Sequence, residues 1–78
     1  MIALQINGKR VDLLEPTSVL DYVSSLGVDP RAVAVEHNGT ILERAAYDQT
    51  LLNEGDVVEI VRMVGGGWEA TSPRPGAP

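Results

Sequence analysis

Three consecutive glycines, Gly65, Gly66 and Gly67, follow directly on the apolar run "VVEIVRMV", and their type and placement invite chemistry. They do not match a phosphate-cradling glycine loop, because no strand-to-helix transition follows them. Glycine lacks Cβ, so a glycine extension enters channels too narrow for other residues and takes backbone angles closed to them. A carboxylate at the end of such an extension can be delivered into another protein's active site. Read as a plain linker, the same glycines would only join the domain to the eleven residues beyond, "WEATSPRPGAP".

No other group competes well. His37 is the only histidine. Its acidic sequence neighbour, Glu36, would point to the opposite face of a strand, so His37 reads as a surface or edge residue. Glu54, Asp56 and Glu59 lack the Asp-rich loop pattern of calcium ligation and read as a solvated turn and strand start. Arg44 and Tyr47 read as a structural anchor for an irregular segment. There is no cysteine, which excludes a disulfide framework, a thiolate metal site and a Cys nucleophile. No metal site and no catalytic constellation is expected, so the chain is not read as an enzyme.

The 78 residues suffice for one small domain, whose core must be economical. Hydrophobic residues make up 44%, but Tyr22, Tyr47 and Trp68 are the only aromatics, so the core must be aliphatic. The net charge of -5 argues against nucleic acid as a partner and suits a basic docking site on another protein. No basic segment followed by a long apolar one opens the chain, so no secretory signal is read. No apolar run approaches the roughly 20 residues of a membrane span, and the expected location is cytoplasmic.

The elements that must position the glycines follow from pattern. Residues 2–6 alternate, Asn7-Gly8 is a type I′ hairpin signal, and "KRVDLL" reads as the return strand with Val11 and Leu13 facing the core. "PTSVLDYVSSLGVDP" reads as a helix of about ten residues, capped by Thr17 or Ser18 and stopped at Gly27. Its apolar stripe is Val19, Leu20, Val23 and Leu26. "AVAVEHNG" reads as a strand with Val33 and Val35 on one face, followed by a second turn at Asn38-Gly39. Short strands are expected at residues 41–42 and 51–52, with a turn at residues 54–56. "VVEIVRMV" is the most β-branched run; strands buried on both faces look like this, which predicts a central position. This order predicts a two-layer α+β domain, a mixed four- to five-stranded sheet covered by one main helix.

"GDVVEIVRMVGGG", with the opening "INGK" and the stretch from Asn38 to an Arg and a nearby aromatic at Arg44 and Tyr47, resembles the sulfur-carrier proteins of thiamine (thiazole) biosynthesis, the ThiS family. The resemblance covers residues 1–67 and implies a ubiquitin-like β-grasp fold. Rivals within that fold are the small subunit of molybdopterin synthase and ubiquitin-like protein modifiers. Outside the carriers, the alternative is a non-catalytic β-grasp interaction domain. The domain is expected at residues 1–64, a flexible glycine arm at 65–67 and a disordered extension at 68–78.

The resemblance also implies a mechanism. An adenylyltransferase of the ubiquitin-activating type would use ATP and magnesium to adenylate the terminal glycine. A sulfur donor protein would convert it to a thiocarboxylate, and thiazole synthase would take the sulfur. The reactive residue would be Gly67, with Gly66 as the alternative. The partner-binding set is expected along the last strand: Val57, Glu59, Val61, Arg62, Met63 and Val64. Val58 and Ile60 should face the helix, leaving Val57, Val61 and Met63 on the open face with Glu59. Family members usually stop at their glycines, whereas this chain continues, and an amide-linked Gly67 has no carboxylate to adenylate. Three explanations stand: a protease removes residues 68–78, the tail is a cloning remnant, or carrier function is lost and the domain only binds partners.

Overall fold

In the computed structural model of the chain, residues 1–64 and 67–70 are described, with side-chain environments through Arg62. β1 (Ile2–Ile6) and β2 (Lys9–Leu13) form the first hairpin, with Leu4 opposite Val11. The turn residues Asn7 and Gly8 have φ of 51° and 80°, the left-handed pair that a type I′ turn requires. Alternation then sends Leu4 and Ile6 inward, at 5% and 1% exposure.

β3 (Thr17–Ser18) leads directly into α1 (Val19–Ser25). Ser18 is the cap: its Oγ accepts the Asp21 amide at 3.0 Å, satisfying one of the orphan donors of the first turn. The helix closes on tight bonds from the Leu26 amide to the Val23 carbonyl and from the Gly27 amide to the Ser24 carbonyl, each 3.1 Å. Gly27 is left-handed, with φ 80°. The seven residues of α1 are fewer than the expected ten, because Thr17 and Ser18 are drawn into a ladder and the last turn tightens.

A single 3₁₀ turn, Pro30–Ala32, precedes β4 (Val33–His37), which turns at Asn38-Gly39 into β5 (Thr40–Ile41). A second 3₁₀ turn, Arg44–Ala46, lies before β6 (Leu51–Leu52). Here the expected anchor is built. The Arg44 guanidinium donates to the carbonyls of Arg31 at 2.9 Å and Pro30 at 3.4 Å. The buried Tyr47 hydroxyl donates to the Val33 carbonyl at 3.0 Å. β6 joins β3, pairing Thr17 with Leu52, in a small separate ladder.

β7 (Val57–Val64) lies between β1 and β4, in the order β2-β1-β7-β4-β5. β1 and β7 run parallel and the other pairs antiparallel, so the sheet is mixed. Val19, Tyr22 and Val23 of α1 pack onto one face of it, against Ile6, Val35, Val58 and Ile60 among others. β7 is central as expected, but not because both faces are buried: Val57 on the other face is 48% exposed. No helix among the described residues is long and apolar enough to cross a membrane.

A further strand, β8 (Gly67–Ala70), pairs antiparallel with β7, matching Val61 with Ala70 and Val64 with Gly67. Residues 67–70 therefore differ from the expected loose arm and extension, because the later half of β7 has an edge that β1 leaves unfilled. Residues 65–66 and 71–78 lie outside the described residues.

Two turn asparagines brace β7. Asn7 accepts the Ile60 amide on Oδ1 at 2.8 Å and donates from Nδ2 to the Ile60 carbonyl at 3.1 Å. On the opposite edge, Asn38 Oδ1 accepts the Val57 amide at 2.8 Å. Asn7→Ala strands both polar groups of Ile60, and an unmade buried hydrogen bond costs about 1–3 kcal/mol. The variant is expected to lower the unfolding free energy by that order, read as a lower urea midpoint at an unchanged m-value; an unchanged midpoint would show that Asn7 does not brace the strand.

Candidate functional site: the glycine end of the central strand

The residues expected to act together all lie on or just after β7, so the geometry of that strand is the geometry of the site. Successive side chains alternate between faces. Val58 and Ile60, both 1% exposed, point into the core as expected. Val57 and Glu59 are exposed, and Val61 is half-buried beside them on the open face. A shallow depression bounded by Ala3, Gln5, Arg10, Gly55 and Val57 adjoins the start of this row. Arg62 is exposed and falls in register with Val58 and Ile60, beyond the stretch of strand they bury. Met63 and Val64 belong to β7, and Gly67 begins β8. Gly65 and Gly66 lie outside the described residues.

The opposite end of β7 carries a polar cluster that no local pattern announces. His37 Nε2 and Asp56 Oδ2 are 2.8 Å apart, and the two side chains are only 21% and 13% exposed. Asp56 also accepts from Asn38 Nδ2 at 3.1 Å and from the Asn53 amide at 2.8 Å. His37 is therefore not the expected surface or edge residue: its strand is flanked on both sides, His37 pairing with Val58 and Thr40, and its acidic partner is nineteen positions away, not Glu36. The cluster fixes where β7 begins and sits at the end remote from the glycines. Among the described residues no group of three or more His, Asp or Glu side chains is placed to hold a metal ion.

Burial works against charge on Asp56. The hydrogen bonds from His37, the Asn53 amide and Asn38, with the charge of His37 adding, outweigh it and hold the carboxyl below its ordinary value of 3.8. A folded pKa below the unfolded one means that the carboxylate stabilises the fold above the ordinary value. That contribution is lost as pH falls through the depressed folded value.

The arrangement defines a class: a ubiquitin-like β-grasp domain whose central strand runs out into glycines. The comparisons narrow it. The ThiS family profile matches residues 4–67, ending on the third glycine. The sulfur carrier protein ThiS of Bacillus subtilis is 38% identical over 65 residues, covering 82% of this chain and 98% of that one. The crystal structure of the thiamine biosynthesis protein ThiS from Geobacter metallireducens superposes with a TM-score of 0.72 at 39% identity, covering 85% of this chain and all of that one. A thiazole synthase of Paramagnetospirillum magneticum is 42% identical over 64 residues; this chain matches through 82% of its own length and spans 20% of that longer protein. The chain belongs to the ThiS family.

The acid cluster gives a clean test of its structural role. Asp56→Asn should flatten part of the fall in stability as pH drops below the ordinary carboxyl value of 3.8, since this group no longer titrates. Denaturant titrations across that range check it; an acid limb identical to that of the unsubstituted chain would remove Asp56 as its source.

Proposed function

We propose that this chain is a sulfur carrier of thiamine biosynthesis, a co-substrate of partner enzymes with no catalysis of its own. The observation that carries this reading is the family match that ends on Gly67, the last of the glycines issuing from the central strand. The head supplies recognition and the glycine end supplies the reacting atoms, so the carrier contributes positioning.

The chemistry requires a free carboxylate. Hydrolysis of the Gly67–Trp68 amide by a processing protease would first leave Gly67 as the terminus. Attack of that carboxylate on the α-phosphorus of ATP, assisted by magnesium in the activating partner, forms an acyl-adenylate and releases pyrophosphate. Sulfur delivered at the sulfide level by a donor protein then attacks the acyl carbon; the C–S bond forms as the C–O bond to AMP breaks, and AMP leaves behind a thiocarboxylate with no change of oxidation state. Thiazole synthase is the proposed acceptor; a segment resembling this chain occurring within a thiazole synthase supports the pairing.

A chain ending at Gly67, mixed with the activating enzyme and magnesium-ATP, is expected to form the adenylate, and with a sulfur donor to gain the mass of an oxygen-to-sulfur exchange. The chain through Pro78 should do neither unless it is first cut. A Gly67-ended chain that never consumes ATP sinks the carrier reading.

The open face is the proposed docking surface. Val57, Glu59 and Val61 present an apolar row with one acid, and Met63 continues it in sequence. Val57→Asp places a charge in an exposed position outside the core. It should weaken binding to the activating enzyme at least about tenfold, as loss of an apolar contact residue would, while leaving the urea midpoint near that of the unsubstituted chain. Unchanged affinity in a calorimetric titration counts against this face.

A further inference from the structure

The main-chain groups of β7 face its two edges alternately. The Asn38 amide donates to the Val57 carbonyl from the β4 side, whereas the Gln5 and Asn7 amides donate to the Asp56 and Val58 carbonyls from the β1 side. Ile60 also faces the β1 side, and there the Asn7 side chain takes both its amide and its carbonyl. β1 has ended by this point. The next residues facing the same edge are Arg62 and Val64, and their partners in register are Glu69 and Gly67.

We propose that residues 67–70 are a built-in edge strand that closes the intact chain. The glycine end becomes available for cutting or for delivery only when this strand lifts from β7. Resting on the carrier reading above, this assigns the residues after the glycines a regulatory role at the same site. Three residues fully extended from Val64 would carry the Gly67 Cα about 10 Å away. Hydrogen-bonded pairing instead holds it at about 5.5 Å and turns the following residues back along the head. The Gly67–Trp68 bond then lies inside a paired strand, whereas proteolysis favours exposed, unpaired backbone. The closure is also short. Two hydrogen-bonded pairs form a low-stability unit that opens locally while the core stays folded.

Residue-resolved amide exchange tests this on the full chain and on a chain ending at Gly67. The Arg62 and Val64 amides should exchange at least about tenfold faster in the shortened chain, because the strand that covers them is gone. The Ile60 amide, held by Asn7, and the Val61 amide, which faces Ala34 of β4, serve as unchanged internal controls. In the full chain, Glu69→Pro removes the amide paired with Arg62 and should open the same two positions. Ala70→Pro should do so much less, since the Ala70 amide faces away from β7. Equal exchange at Arg62 and Val64 in the full and shortened chains overturns the closure. Adenylation of the shortened chain is scored separately: a protected edge with no adenylation upholds the closure and rejects the carrier reading, and adenylation with equal exchange does the reverse.

Discussion

The grip of two turn asparagines on the main chain of β7 is the constraint on which the rest of this small domain depends. Asn7 and Asn38 both adopt φ of 51°, which few side chains tolerate, and each is followed by a left-handed glycine. Their side chains reach opposite edges of the same strand. Asn7 behaves as a substitute rung: where β1 turns away, its amide offers Ile60 the acceptor and the donor that another strand residue would have offered. The central strand thus keeps its polar groups satisfied past the end of its neighbour. Its direction, and with it the point where the glycines leave the head, is set by side chains no longer than asparagine.

Around this axis the molecule divides its labour by face. The inner face of the sheet, with α1 and the Tyr47 segment, holds the aliphatic core. The outer face keeps Val57, Glu59 and Val61 at the surface. A sheet with one open face suits the proposed docking there, because recognition on that face does not disturb the packing behind it. The His37–Asp56 cluster serves the same division, fastening the start of β7 far from the chemistry.

Much of this was legible in the residues. The first hairpin is announced by strict alternation and by Asn7-Gly8, since period and turn chemistry agree. α1 is bounded by Ser18 and Gly27, whose capping roles are local. β7 stands out by its β-branched content, and the glycines by their position after it. What escaped notice is non-local. β6 falls where a short strand is expected, but a two-residue strand has no period to fix its partner, so its ladder with β3 is not legible. Tyr22 lies off the stripe drawn through Val19, Leu20, Val23 and Leu26, yet is only 8% exposed, because the core of a short helix wraps more than one row. The pairing of His37 with Asp56 depends on two turns meeting at one end of the sheet. β8 is illegible for a different reason: its surroundings in the sequence suggest looseness, and only the vacant edge of β7 gives it a partner.

β8 also holds the chain's only tryptophan, Trp68, while the head contains just two tyrosines, Tyr22 and Tyr47. The two parts therefore carry different chromophores. Excited at the red edge of the indole band, where phenols do not absorb, the chain emits only from the segment after the glycines. A head severed at Gly67 becomes silent to excitation at the red edge of the indole band, and the released segment carries that signal away. The state of the chain after the glycines can thus be followed by light alone, with no label placed on the head.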